Sequence, residues 1–152
     1  MVSICQPFLK LQNTDWIEVK DGNPTALSIF NRHYSKREYK DGRSPKLFVG
    51  PGEKMVLLTQ NSDALFVWRK FISANDQVGV NCAVFRNEGR QKSSVLILSA
   101  MEFAWVRWPN ERLYTYVDST KVKSTNPGYC FQKAGWSRCG KTIQKKLDIL
   151  EY

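Results

Sequence analysis

His33, Tyr34 and Ser35 put an imidazole, a phenol and a hydroxyl side by side, and His33 is the single histidine of the chain. Only an imidazole titrates near neutrality without help from its surroundings, so His33 is a candidate general base. The competing reading is a surface histidine that follows a helix. Asp118 closes the run RLYTYVD (112–118) and precedes Ser119. A carboxylate there would orient or deprotonate an amine, or else simply begin a turn. Tyr129 offers a further phenol and Tyr116 another. Its neighbour Cys130 has no identifiable base and reads as packing. Glu102 stands in an apolar run, where it is buried with a raised pKa, faces solvent or pairs with Arg107.

The segment FRNEGRQKSS (85–94) carries a different chemistry. A strand that opens into a helix N-terminus presents free backbone N–H groups and the positive end of a dipole, which suits a pyrophosphate. Gly89 would let the backbone approach such a ligand. Arg86, Arg90 and Lys92 add charge, and Ser93 and Ser94 add hydroxyl donors. An ordinary capped helix with a solvated basic turn is the alternative. A second basic stretch runs through Arg32, Lys36, Arg37, Lys40, Arg43 and Lys46, with Tyr34 and Tyr39 interleaved. That composition suits phosphate tracking and base stacking, with Tyr39, Phe48 and Trp68 as candidate stackers, or else it is a solvated loop.

These groups sit in a chain of 152 residues with 23 Lys and Arg against 14 Asp and Glu, a net charge of +9. The excess points to an anionic partner such as nucleic acid, a nucleotide or a CoA-type cofactor. Hydrophobic residues make up 42%, too many for a disordered basic tail. The length sets an expectation of one domain over 1–152. No apolar run suits a membrane span, and MVSICQPFLK lacks the pattern of a signal peptide. The four cysteines include no C-x-x-C pair, so with one histidine a protein-ligated metal is not expected. They read as reduced and mostly buried, which suggests the cytoplasm.

The elements that must position these residues follow from turn signals and periodicity. Asn23 and Pro24 suit a helix start, and Leu27 and Phe30 recur at near-helical spacing, predicting a helix over 24–34. MVLLT (55–59) and ALFVWRKF (64–71), separated by QNSD, predict a hairpin. GVNCAVFRNE (79–88) is a third strand, with Val80, Cys82 and Val84 alternating. SSVLILSAMEFAWVRW (93–108) is apolar nearly all round and predicts a buried helix capped by Ser93 or Ser94. RLYTYVD then makes a strand–helix–strand unit with parallel strands and a right-handed crossover. NPGYCFQKAGW (126–136) reads as a short helix, with Pro127 in its first turn and Gly135 at its stop. The tail gives one or two strands, although IQKKLDIL also suits a helix. The sum is an α/β fold, a central mixed sheet with helices on both faces.

The strand RLYTYVD, the Asn126-led helix and the Gly135–Trp136 pair resemble the end of an acetyltransferase of the GNAT superfamily. In that comparison FRNEGRQKSS lies at the cofactor loop, and the element order matches over about residues 15–140. RHYS (32–35), FRNEG (85–89), TYVD (115–118) and NPGYCF…AGW further resemble the Mom-like branch of phage and prophage proteins. The loop keeps only Arg-x-x-Gly of the superfamily pattern, and Phe131 stands where its usual general-acid tyrosine would be.

The resemblance implies acetyl-CoA or another acyl-CoA, held by Phe85, Arg86, Asn87, Gly89, Arg90, Ser93, Ser94 and Asn126. It implies catalysis by Asp118, Tyr129, His33, Tyr34 or Ser35, and modification of the N6 amine of adenine in double-stranded DNA, which protects phage DNA from restriction. Such a target lies inside the base stack and must be flipped out. Arg32, Lys36, Arg37, Lys40, Arg43 and Trp68 would meet the DNA, and a homodimer is compatible. A conventional acetyltransferase of a protein or small amine, and a non-catalytic nucleic-acid-binding protein on the same fold, are the alternatives.

Overall fold

The computed structural model describes residues 15–33, 46–72, 76–121 and 126–152. Its elements in chain order are β1 (Trp16–Val19), α1 (Pro24–Phe30), β2 (Glu53–Thr59), β3 (Ala64–Lys70) and β4 (Val80–Asn87), then α2 (Ser93–Arg107), β5 (Leu113–Val117), α3 (Tyr129–Lys133), β6 (Ser137–Lys141) and β7 (Asp148–Glu151). The fold is α/β. Seven strands form one open mixed sheet in the order β1-β2-β3-β4-β5-β7-β6. Every neighbouring pair is antiparallel except β4 and β5, which α2 connects in parallel. The helix at 93–107, the hairpin and the parallel pair agree with the sequence pattern, and the tail makes two strands. The four-residue β1 carried no sequence signal strong enough to be read.

Both faces of the sheet are covered. Met55, Leu57, Phe66, Trp68, Val80 and Cys82 pack toward α2 and α3. Val56, Leu58, Leu65, Val67 and Val84 pack toward Ala26 and Ile29 of α1. The register between β3 and β4 shifts where Val67 pairs with Val84 and Trp68 with Cys82. Ala83 is the extra residue of this bulge, and it reverses the phase of the strand. Val84 therefore lies on the α1 face rather than continuing the alternation of Val80 and Cys82. Phe85 joins the α2 side, where its ring lies 5.3 Å from Phe66.

The helices begin and end for separate reasons. Asn23 caps α1, its side chain accepting from the N–H groups of Thr25 (3.0 Å) and Ala26 (3.1 Å), with Pro24 in the first turn. The helix stops at Phe30, four residues before the expected end. Arg32 and His33 then donate backbone hydrogen bonds three residues back, in tight turns that carry them to the end of β4. The N-cap of α2 is Lys92, with no side-chain cap, so neither Ser93 nor Ser94 fills that place. α3 is a single five-residue turn preceded by Gly128 at φ 82°, and Gly135 at φ 100° ends it, so Asn126 lies outside the helix.

Tryptophan seats the long helix. The indole N–H of Trp16 donates to the Leu96 carbonyl (2.9 Å), that of Trp68 to the Ala100 carbonyl (2.8 Å) and that of Trp136 to the Met101 sulfur (3.2 Å). Rings also close a circuit of Phe66, Phe85, Phe131, Trp136 and Trp68 with centroid separations of 4.6–6.3 Å. Trp68 is completely buried, which removes it from the candidate base stackers. Phe48 is half-buried and stacks on Phe30 at 4.7 Å instead. Replacing Trp68 with Ala should cost roughly 3–5 kcal/mol in urea unfolding, from lost contacts and a residual cavity. Trp68→Phe keeps the ring but loses the donor, and should cost roughly 1–2 kcal/mol.

Candidate functional site

β4 and β5 pair only from Val80 with Leu113 to Cys82 with Thr115. Beyond that point β4 continues to Asn87 against β3, and β5 continues to Val117 against β7. The parallel strands therefore fork toward their carboxyl ends, where ligands gather in open α/β sheets. The Thr115 hydroxyl donates to the Cys82 carbonyl at the fork (3.0 Å). Burial holds the Cys82 thiol well above its ordinary range, so it is neutral. Cys130 is half-buried and also pushed up by burial, which fits packing better than nucleophilic attack. Cys139 is exposed, against the expectation that the cysteines are mostly buried.

The loop 88–92 connects β4 to α2 beside this fork. Asn87 organises it: the side-chain amide donates to the Gln91 carbonyl (2.7 Å) and Ser93 Oγ (3.1 Å), and accepts from the Gly89 N–H (3.0 Å). Asp63 anchors it from the β2–β3 turn. The Asp63 carbonyl accepts from the Glu88 N–H (2.7 Å), and its carboxylate accepts from Thr59 Oγ1 (2.7 Å). A Cβ at Gly89 would run into that carboxylate. Glycine is needed here to clear Asp63, a tertiary neighbour that the sequence pattern did not reveal.

Glu88 changes the expected use of the loop's charge. Its carboxylate receives Arg32 through two bonds (2.6 and 2.7 Å) and Arg86 Nε (2.6 Å). The two guanidinium groups hold it down to about 2. Arg32 and Arg86, expected at DNA and pyrophosphate respectively, are thus both engaged with Glu88. Arg90 and Lys92 are exposed and form no ion pair among the described residues. They lie beside the uncapped N-terminus of α2, where the dipole adds positive potential. The arrangement can hold phosphate oxygens through Arg90, Lys92 and the first N–H groups of α2.

His33 packs against the same end of β4. Burial lowers its pKa to about 4, the nearby Arg86 charge adds to this, and a hydrogen bond to the Phe85 backbone opposes it. The imidazole is neutral at pH 7. Asp118 lies at the end of β5, where its Oδ1 accepts from the Thr120 N–H (3.0 Å) and hydroxyl (2.6 Å). These bonds lower its pKa, and the carboxylate closes a turn. Asn126 donates to Gln132 Oε1 (2.8 Å) and accepts from Arg138 (3.3 Å). Tyr129 is exposed at the start of α3. Phe131 is buried against Trp136 (4.9 Å), so its position supplies packing rather than a polar group.

The fork thus gathers Phe85, Asn87, Gly89, Arg90 and the start of α2 from one side, with Asp118 ending the other strand. Tyr34, Ser35, Lys36, Arg37, Tyr39, Lys40 and Arg43 lie outside the described residues. Glu88 and Asp63 shape the loop through partners that a local pattern does not show, Arg32 for Glu88 and the Glu88 N–H for the Asp63 carbonyl. Arg107 pairs with Glu18 (2.6 Å), not with Glu102. No group of three or more metal-ligating side chains occurs among the described residues. Nor is any helix there long and apolar enough to cross a membrane. A shallow cavity of about 570 Å³ opens at the other end of the sheet, lined by Trp105, Pro109, Asn110, Glu111, Arg112 and Tyr152. No family model, curated protein or solved structure matches the chain.

Two consequences can be measured. The folded-state pKa values of His33 and Glu88 both lie below their ordinary values, so the folded protein binds fewer protons and stability rises with pH. The His33 contribution should be complete above about pH 6.5 and lost as pH falls toward 4, to a ceiling of roughly 3 kcal/mol. That of Glu88 should be lost from about pH 4.5 down toward 2. Urea titrations across this range should show a flatter upper segment for His33→Gln and a flatter lower one for Glu88→Gln. Separately, Gly89→Ala should lower stability by about 1–3 kcal/mol in thermal unfolding, because Asp63 is fixed from two sides.

Proposed function

We propose that this protein is a GNAT-type transferase that uses an acyl-CoA donor to modify the N6 amine of adenine in DNA, in the manner of the Mom-like branch it resembles. The observation that carries this reading is the fork of β4 and β5 next to the uncapped start of α2. Arg90 and Lys92 supply the cations there, and the first N–H groups of α2 supply the dipole. These groups fit the pyrophosphate of a CoA, and they are the residues that would hold it. Arg86 serves indirectly, by fixing Glu88 and the loop. The donor supplies the group that is transferred.

The chain's own residues orient the amine and move its proton. Asp118 is an ionised carboxylate at the mouth of the fork and is the foremost candidate to orient the amine. Asp118 would also take the proton that the amine loses, and Tyr129, two residues from Phe131 in the chain, would protonate the departing thiolate. His33, neutral and packed beside Phe85, acts as a positioning group for the end of β4. The overall positive charge of +9 matches a polyanionic substrate.

One observation favours a second reading, a non-catalytic nucleic-acid-binding protein on the same fold. Glu88 engages both Arg32 and Arg86, which leaves fewer free cations beside the loop for a pyrophosphate. Calorimetry with CoA and acetyl-CoA, together with mass spectrometry of DNA nucleosides from cells expressing the chain, separates the two. The expected result is measurable CoA affinity, weakened roughly ten-fold or more by combined Arg90→Ala and Lys92→Ala changes, and an adenine of increased mass. Absence of both CoA affinity and modified adenine, with DNA binding retained, overturns the transferase reading in favour of the second.

A further inference from the structure

The connection between β6 and β7 is an exposed tip whose base is closed by two hydrogen bonds. The Thr142 N–H donates to the Leu147 carbonyl (2.9 Å), and the Leu147 N–H returns a bond to the Thr142 hydroxyl (3.0 Å). Thr142 is buried, so this clamp is anchored in the body of the protein. Beyond it stand Ile143, Gln144, Lys145 and Lys146. Ile143 is 87% exposed, although a branched apolar side chain gains by burial. Lys146 adopts a left-handed conformation (φ 56°) that turns the chain back. Lys145 and Lys146 form no ion pair among the described residues, and Lys141 reaches only the Asp148 carboxylate at 3.7 Å.

The strand registers place this tip. Val117 of β5 pairs with Asp148 of β7, and Asp148 pairs with Lys141 of β6. The tip therefore leaves the sheet at the end where β5 finishes, the same end as the fork, Asp118 and the 88–92 loop. Lys121, in the turn after β5, is likewise without an ion pair among the described residues. The other end of the sheet differs. There Arg107 meets Glu18, Lys70 meets Glu111 and Arg112 meets Glu151, each at 2.6 Å. The fork end has its own close pairs, Arg32 and Arg86 with Glu88 at 2.6 Å, but among the described residues Arg90, Lys92, Lys121, Lys145 and Lys146 stand there without an ion pair.

We propose that the β6–β7 hairpin is a nucleic-acid wedge, with Lys145 and Lys146 on backbone phosphates and Ile143 inserted between adjacent bases. A narrow tip with one apolar side chain flanked by cations fits a base step, which apolar wedges part by unstacking it. It fits a broad apolar protein surface poorly, because a single side chain buries little area. This inference rests on the DNA reading above for the identity of the polymer, and supplies that reading with the unstacking step that access to a paired adenine requires.

The test uses the full chain and a duplex containing 2-aminopurine at the target adenine. Anisotropy over a salt series reads affinity, and 2-aminopurine fluorescence reads unstacking. Combined Lys145→Gln and Lys146→Gln changes should weaken binding roughly ten-fold and reduce the log–log salt slope by about 2. Ile143→Ala should leave that slope unchanged and abolish the fluorescence rise. All three side chains are exposed, and circular dichroism melts should match the unaltered chain.

Unchanged slope and fluorescence in both variants, with duplex binding intact, overturns the wedge and leaves the transferase reading standing. Hairpin-dependent binding and unstacking without adenine modification supports the wedge and counts against the transferase. Binding to phosphatidylserine vesicles but to no nucleic acid overturns the wedge and the DNA reading together.

Discussion

The structure depends on where its indole N–H groups find acceptors. All five tryptophans donate: Trp16, Trp68 and Trp136 to α2, Trp105 to the Glu111 carbonyl and Trp108 to Glu53. A buried indole without a partner is costly, so each donor restricts how its neighbours pack. This matters most for α2. Val95, Leu98 and Val106 are exposed while Leu96, Ile97, Ala100, Met101 and Ala104 are buried. A helix apolar on both sides has no hydrophobic reason to choose one rotation about its axis. The acceptors at Leu96, Ala100 and Met101 choose it. Rotation of α2 in turn sets where its N-terminus opens, and so where the loop from β4 must arrive.

The loop is then held by polar contacts from outside itself. Asp63 fixes it from the β2–β3 turn, and Glu88 ties it to Arg32 at the end of α1. One carboxylate between two guanidinium groups leaves the cluster net positive and ties both arginines, still partly exposed, to the loop. The positive charge left for a ligand is carried by Arg90 and Lys92, whose side chains are exposed.

Much of the fold was legible in the chain. Period-two runs bounded by QNSD and by Gly79 mark the strands, Asn23–Pro24 marks a helix start, and an apolar stretch too long for a strand marks α2. What escaped has a common cause. β1 has four residues, too few to show a period. The bulge at Ala83 leaves the composition of β4 unchanged while reversing its faces, so the alternation of Val80 and Cys82 does not carry on to Val84. Trp68 was read as a stacker because an indole suits a base and a core equally, and only its neighbours distinguish them. Of the candidate site, the strand–loop–helix that brings Phe85 to Ser94 together was readable. The tie of Arg32 to the same Glu88 was not, because the two are 56 positions apart.

The sequence by itself determined the types of the longer elements, the parallel strand pair and the sign of the charge, because these follow from local periodicity, chain connectivity and composition. Tertiary structure alone decided which cations are neutralised, which face each β4 side chain takes, and that the β6–β7 tip stands at the same end of the sheet as the fork. Those outcomes are set by hydrogen-bond acceptors and strand registers contributed by residues far apart in the chain. Their energies depend on distances that no local pattern of residues encodes.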